Sequence, residues 1–443
     1  MSVVQIPNLP AAIALNGNEP VEIVQAGQSK RVGVQAIANL GVKEIPGQVI
    51  PDIATLKGIP IETSYPIFVE GYYSVGDGGG GYYYGADGQP AGTYVDNGGT
   101  VIVPSGGDGS SAWLLMTDGV YNVKQFGAVG DGVADDTNAI QNAINAAQCD
   151  AASIYGIGRA EVYIPAATYL HAGLFITRAI LFKGAGKTSS KLLLANSSVN
   201  PALTISISYD AANYVSVGYP WNAVQVRDMY FMAQGSVSST LDMILLKNAS
   251  VNPIRSKVHI EDVTIFQAGQ DGIHATGWTG ALYMIGVFIF GSGNDGLYAN
   301  GCTDFVVVNS DIGNSSRRAL TVSGCTAFSF QSCHFFSSQE EIMYIFFSGT
   351  HGGENFFDGC AFDGGQKNAV TYDVHGGALT TFSSCYFDTN SQSADATYSD
   401  IVIASNSVTS GLHLNNCYFD HTYSYNSHSL PLQVTKYNVE FGS

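Results

Sequence analysis

Seven short runs in the C-terminal half constrain the fold most: DVTIF (262–266), GVFIF (286–290), NSDIG (309–313), SCHFF (332–336), GCAFD (359–363), SCYFD (384–388) and NCYFD (416–420). Their fourth positions are Ile265, Ile289, Ile312, Phe335, Phe362, Phe387 and Phe419, separated by 24, 23, 23, 27, 25 and 32 residues. A unit of this size cannot bury its apolar face alone. Stacking against copies of itself does so, and the period therefore marks a solenoid. The first five anchors are each followed eight residues later by a second apolar residue: Ile273, Leu297, Leu320, Met343 and Val370. That constant offset predicts one coil geometry of strand, turn and strand. Residues along a strand alternate faces, so Val263, Val287, Cys333, Cys360, Cys385 and Cys417 should point inward with the anchors. In a dry interior these cysteines act as small hydrophobes rather than as a metal or redox site. Less regular strands (VYIP, TYLHAGLFI, AILFKGAG, KLLLA, LTISI) fill residues 161 to 257. About twelve coils at the ~4.8 Å strand spacing give a rod on the order of 60 Å.

Composition agrees. Charged residues make up only 12%, against 52 Gly, 25 Tyr and 22 Phe, which suits a turn-rich all-β chain and argues against disorder. The net charge of −18 disfavours nucleic acid and anionic membranes as partners. No apolar run approaches the ~20 residues that span a bilayer, and no charged-then-apolar leader opens the sequence, so synthesis in a cytoplasm is expected. The 7 Cys have neither zinc-site nor disulfide spacing and are expected to be reduced and buried.

The stretch Tyr121 to Ala147, YNVKQFGAVGDGVADDTNAIQNAINAA, reads as a short strand (Val123 to Phe126), a Gly-Asp-Gly turn and an amphipathic helix. Asp135-Asp136-Thr137 opens the helix, and Ile140, Ile144 and Ala147 share its apolar face. This pattern resembles the first segment of the pectate-lyase-like right-handed parallel β-helix superfamily, in which a short helix caps the open end of the first coil. The resemblance implies an all-β, right-handed parallel β-helix over residues 119–443 with a helical cap and a short C-terminal strand. It carries no chemistry. Polygalacturonase-like members bear an Asp-Asp pair and a Gly-His-Gly on consecutive coils. Here Asp135-Asp136 lies in the cap and no Gly-His-Gly occurs. The pectate-lyase set of calcium carboxylates and a catalytic Arg is not identifiable either.

Two upstream pieces carry further resemblances. NGNEPVEIVQAGQSKRVGVQAIANL (Asn16 to Leu40) resembles a short N-terminal module of bacteriophage virion proteins, with a strand at Val21 to Val24 and a short helix at Val34 to Leu40. GYYSVGDGGGGYYY, DNGGTVIVP and SSAWLLM resemble the small β-rich segment before the β-helix of many phage tailspikes. Strands are expected at Ile67 to Tyr73, Tyr82 to Tyr84, Thr100 to Val103 and Ala112 to Leu115. No Lys-Ser/Thr or helix follows the Gly run, so tight turns rather than a phosphate loop account for it. The resulting division is a virion-attachment module over 1–45, a linker over 46–58, a neck over 59–118 and the β-helix beyond.

The repeat alignment also sets residues of successive coils beside one another. Two positions before each second anchor stand Asp271, Asp295, Arg318, Glu341 and Asn368. One position earlier stand Gln270, Asn294, Arg317, Glu340 and Lys367. Asp271 and Asp295 should be one rung apart, ~4.8 Å, and Asp295 and Glu341 two rungs apart, ~9–10 Å. Glycoside hydrolysis uses carboxylate pairs at about these separations. Neighbouring carboxylates raise one another's pKa, and Arg317 and Arg318 could clamp an acidic sugar. The competing reading is structural: GQDGI and GNDGL are turn sequences with Asp bonded to backbone and Gly at positive φ, and the Arg-Arg and Glu-Glu pairs form a surface ion network. A second column, Thr264, Phe288, Asp311, His334, Ala361, Tyr386 and Tyr418, faces outward, where Asp311 and His334 could pair. Phe266, Phe290 and Phe336 form an exposed aromatic stripe beside it, suited to sugar rings or to a neighbouring subunit. A third column, Asp363, Asp388 and Asp420, either caps turns or binds calcium.

The resemblances together imply a phage tailspike. Such a protein is a homotrimer, attached to tail or capsid proteins through residues 1–118 and acting at the host cell surface on host polysaccharide. If it cleaves, hydrolysis is favoured over elimination, with Asp295 as acid or base and Glu341 or Asp271 as its partner. Arg317, Arg318, Asp311, His334, Phe290 and Phe336 would bind substrate. No cofactor, metal ion, nucleic-acid partner or membrane insertion is expected. The alternatives are a non-catalytic adhesin on the same fold and a structural capsid or tail decoration protein.

Overall fold

The computed structural model describes residues 20–25, 28–33, 48–61, 65–153, 160–207, 223–235, 240–247, 257–278, 281–348, 353–376, 379–388, 400–404, 407, 411–419, 435–437 and 440–441. From residue 120 onward the chain winds as a right-handed parallel β-helix. Among the described residues, a 22-stranded parallel array folds over into two faces, and a nine-stranded array makes the third. Ala223–Ala233 and Lys257–Phe266 run unbroken through the bend between the first two faces and serve both. Register along the first face links rungs from Val120–Asn122 through Glu161–Ile164 to Leu412–Asn415 and Thr435–Tyr437. The last short strand, Glu440–Phe441, pairs with Tyr418–Phe419 on the second face.

The repeating runs mark that bend. Their first residues, Asp262, Gly286, Asn309, Ser332, Gly359, Ser384 and Asn416, all have φ between 48° and 64°. The left-handed region is tolerated by Gly and by short polar side chains, which is why no β-branched or large residue occupies this position. The second residues turn inward as expected: Val263, Val287, Cys333, Cys360, Cys385 and Cys417 are buried. Behind them the anchors Phe335, Phe362, Phe387 and Phe419 stack ring on ring at 5.2, 4.8 and 4.6 Å. Each fully buried side chain of this kind contributes roughly 1.5–3 kcal/mol. A second stack, Phe330, Phe357 and Phe382, runs beside it at 5.1 and 4.7 Å. Six of the 7 cysteines are buried and none forms a disulfide; Cys149, expected to be buried, is exposed on the capping helix.

That helix spans Thr137–Ser153 and buries Ile140, Ala143, Ile144 and Ala147 against the open end of the first coil. The Asp136 carboxylate closes the turn before it, accepting from Val129 N at 2.6 Å and Gly130 N at 3.0 Å. The strand predicted at Val123 to Phe126 is a 3-10 turn instead. The strand lies just before it, at Val120–Asn122. The Asn122 side chain accepts from Lys124 N, and Gly127 ends the turn at φ 92°, which together curl the segment.

The neck is a five-stranded sheet with its own core of Ile67, Val69, Tyr83, Ile102, Trp113 and Leu115. The stretch expected to be a linker is part of it. Val49–Ile50 pairs with Ile67–Val69, and Ile53–Lys57 is a helix N-capped by Asp52. The strand from Ile67 stops at Val69 rather than Tyr73, because the Asp77 carboxylate gathers the N–H groups of Tyr72, Tyr73, Ser74 and Gly79 at 2.8–3.0 Å. Bonds from Tyr73 Oη to Gly127 O and from Gln125 Nε2 to Gly80 O seat the neck on the 3-10 turn that precedes the capping helix. Val21 to Val24 lies in a strand, Pro20–Gln25, paired antiparallel with Gln28–Gly33. The helix expected at Val34 to Leu40 falls outside the described residues.

Candidate functional site: a coil corner and an aromatic face

The corner between the second and third faces carries the first set of site residues. Third-face strands Ile273–Thr276, Leu297–Asn300, Leu320–Ser323, Met343–Phe347 and Val370–Val374 register in that order, Ile273 opposite Leu297, Leu320, Met343 and Val370 in turn. Asp271, Asp295, Arg318, Glu341 and Asn368 therefore form one column, one residue per coil. The column begins a coil earlier. Ile244 registers with Ile273, which brings Asp242 onto the same line.

These groups bond chiefly to one another. Asp271 Oδ1 accepts from Asn294 Nδ2 at 2.7 Å and from Asp295 N at 2.9 Å. Asp295, with no exposed surface, is gripped by Arg317 through both oxygens, Nε to Oδ1 at 2.6 Å and Nη2 to Oδ2. Burial raises the Asp295 carboxyl pKa, and the guanidinium beside it works in the opposite direction. Glu341 Oε1 accepts from Arg318 Nε at 2.7 Å; the Arg318 guanidinium also lies 4.4 Å from the Tyr344 ring centroid and 3.7 Å from Glu340. Both arginines, expected as a clamp for an acidic sugar, are thus engaged by carboxylates of their own chain. The glycines of the two Asp-Gly turns are not at positive φ, contrary to expectation. They are glycine because a Cβ would meet Ile289 Cγ2 at 2.4 Å from Gly272 and Ile312 Cγ2 at 2.4 Å from Gly296.

Two residues of this corner escaped the sequence reading. His274 Nδ1 lies 3.3 Å from Asp242 Oδ2 and 3.2 Å from Asp271 Oδ2, and the two carboxylates raise its pKa to about 9. The Tyr298 ring meets the imidazole edge-on at 4.8 Å. The signal for Asp242 was present, two residues before Ile244 as Asp271 is two before Ile273. The irregular coils before residue 257 hid that offset.

The second set lies on the second face. Thr264, Phe288, Asp311, His334, Ala361, Tyr386 and Tyr418 register in that order. The His334 imidazole bridges two carboxylates, Asp311 at 3.6 Å through Nδ1 and Asp363 at 2.7 Å through Nε2. Both side chains of the Asp311–His334 pair are open to solvent, at 54% and 40%. Phe336 stacks on His334 at 4.9 Å and meets Phe290 at 6.3 Å, and Phe290 stacks on Phe266 at 5.7 Å. These phenylalanines are half-buried rather than exposed, because each leans on the next. Gly313 lies in register between Phe290 and Phe336, where a Cβ would come within 2.2 Å of Phe336 O. Asp363 and Asp388 are register neighbours, Asp363 pairs with His334, and Asp420 lies outside the described residues.

Comparison with known proteins agrees with this architecture. Residues 49–118 match the family described as phage tail protein small four-stranded beta-sheet domain. Residues 120–313 match rhamnogalacturonase A/epimerase, pectate lyase-like. The chain is similar to tailspike protein 2 from Escherichia coli O157:H7 bacteriophage CAB120, with a TM-score of 0.60 and 16% identity over 99% of this chain and 57% of that one. It is also similar to tailspike gp49 from Acinetobacter baumannii bacteriophage Fri1, a capsular polysaccharide depolymerase, with a TM-score of 0.51 and 14% identity over 89% of this chain and 69% of that one. At such identities the likeness is one of fold. A curated relative, mannuronan C5-epimerase AlgE5 of Azotobacter vinelandii, is 55% identical over 53 residues, 12% of this chain and 5% of that protein. The chain therefore spans about a twentieth of that relative and less than two thirds of the first tailspike. The fold is a parallel β-helix, and residues 120–313 within it match the pectate-lyase-like family model. A phage tail domain model matches just in front of it, and the fold is similar to that of the solved tailspikes.

Proposed function

We propose that this chain is the subunit of a homotrimeric phage tailspike that joins the virion tail through its N-terminal segments and binds host surface polysaccharide along the β-helix. The observation that carries the reading is the order of its parts, a segment matching a phage tail β-sheet domain bonded directly to the first turn of a parallel β-helix. On the helix the second face supplies the recognition chemistry. Phe266, Phe290 and Phe336 offer flat apolar surfaces to sugar rings, while Asp311, His334 and Asp363 offer donors and acceptors to hydroxyls.

Cleavage is the second reading, favoured by the pKa shift at Asp295. A carboxyl raised by burial suits a general acid, and Glu341, two coils away, retains Oε2 outside its bond to Arg318. In this assignment Asp295 donates the proton, Glu341 or Asp271 is its partner, and Arg317 must leave Asp295 as substrate arrives. Incubation of the protein with polysaccharide from a susceptible host tests both. Co-elution at unchanged polymer length supports recognition alone. Shortening with new reducing ends, lost in Asp295→Asn and Glu341→Gln, supports hydrolysis. Neither event with a confirmed host overturns the proposal in favour of a structural virion component.

A further inference from the structure

Asp242 and Asp271 occupy the same turn position on adjacent coils, and His274 rises from the strand that Asp271 leads into. Each carboxylate is anchored through one oxygen. Asp242 Oδ1 accepts from Asp271 N at 3.2 Å, and Asp271 Oδ1 accepts from Asn294 Nδ2 and Asp295 N. The other two oxygens, Oδ2 of each, converge on His274 Nδ1 at 3.3 and 3.2 Å. That nitrogen is buried and aligns with neither oxygen well enough for a hydrogen bond. An imidazolium held by ordinary pairing would point its N–H at one acceptor; here the nitrogen faces the space between two. A single imidazolium also offsets only one of two buried carboxylates. One donor atom from each residue lies within 4.8 Å of the others. With His274 Nδ1 3.3 and 3.2 Å from the two oxygens, an ion ~2.1 Å from each donor would place the nitrogen at about 100° to either oxygen, between tetrahedral and octahedral angles.

We propose that Asp242 Oδ2, Asp271 Oδ2 and His274 Nδ1 form a binding site for a divalent transition cation of the zinc and manganese class. One imidazole with two carboxylates suits such an ion better than calcium, which prefers six or more oxygens. The backbone and Asn294 bonds to the far oxygens are the outer-shell contacts that hold ligating carboxylates in place. The ion ties two adjacent coils together beside the Asp295–Arg317 pair. This proposal stands independently of polysaccharide binding.

Titration calorimetry with ZnCl2 on the full chain, stripped with EDTA, tests it. One ion per chain is expected. His274→Gln and Asp242→Asn should each weaken binding at least tenfold, while Asp311→Asn, on the other face, leaves it intact. Cobalt(II) absorption on the unsubstituted protein gives a second measurement that needs no variant, and visible d–d bands of a four- or five-coordinate site with nitrogen ligation are expected. Absence of stoichiometric binding, or binding unchanged in both variants, would overturn the proposal.

Discussion

Removing Arg317 puts a number on the buried corner. Asp295 has no exposed surface, and its two oxygens are held by Arg317 Nε and Nη2. Arg317→Met leaves a carboxylate without its counter-ion in a dry site, and such losses cost about 3–5 kcal/mol. The carboxyl can limit the penalty by taking up a proton. From its ordinary value of 3.8 that costs about 4 kcal/mol at pH 7, at 1.36 kcal/mol per unit, but only about 1.5 kcal/mol at pH 5. The sign follows: the folded form binds the extra proton, so the defect shrinks as pH falls. Urea unfolding followed through Trp278, buried on the same stretch of the solenoid, reads the difference. The double variant Arg317→Met/Asp295→Leu removes both charges and should recover most of the loss. A cost for Arg317→Met under about 1 kcal/mol at pH 7, or one that does not depend on pH, would refute this account of the pair.

Three further outcomes are expected. In metal-free buffer the His274 pair with Asp242 and Asp271 stabilises the fold fully below its ordinary value near 6.5. That contribution, about 1–2 kcal/mol after solvent screening, disappears as pH rises through about 9 and is absent in His274→Gln, measured by urea midpoints from pH 6 to 10. Gly313→Ala drives a Cβ to 2.2 Å from Phe336 O and should cost about 1–3 kcal/mol while displacing Phe336 from its stack on His334, seen as a fall in melting temperature and in sugar affinity. A thiol reagent should label one cysteine per folded chain, Cys149, and seven after denaturation; labelling of more than one in the native state would contradict the buried ladder.

The solenoid was legible because its physics is periodic. Anchors recur once per coil, and the left-handed bend restricts the first residue of every run to Gly, Asn, Asp or Ser. The corner column followed from the same offset. Its chemistry did not. Whether Arg317 reaches a sugar or Asp295 depends on side-chain direction, which the repeat does not encode, and His274 acquired its two partners only once Asp242 was in register. The Val123 to Phe126 segment was misread because β-branched and aromatic residues suit a strand, whereas the Asn122 cap and the left-handed Gly127 fix a turn. Val49–Ile50 and Ile53–Lys57, within the stretch expected to be a linker, form a strand and a helix because they draw their apolar contacts from the neck core.

Binding of polysaccharide from a susceptible host, compared between the unsubstituted protein and a Phe290→Ala/Phe336→Ala variant, tests the central claim most directly. The account requires saturable binding by the former and, since each aromatic stack is worth about 0.5–1.5 kcal/mol, a loss of roughly 5- to 150-fold in the latter with the fold intact. Equal affinity in both would move recognition off this face of the helix. No binding by either would contradict the polysaccharide reading itself.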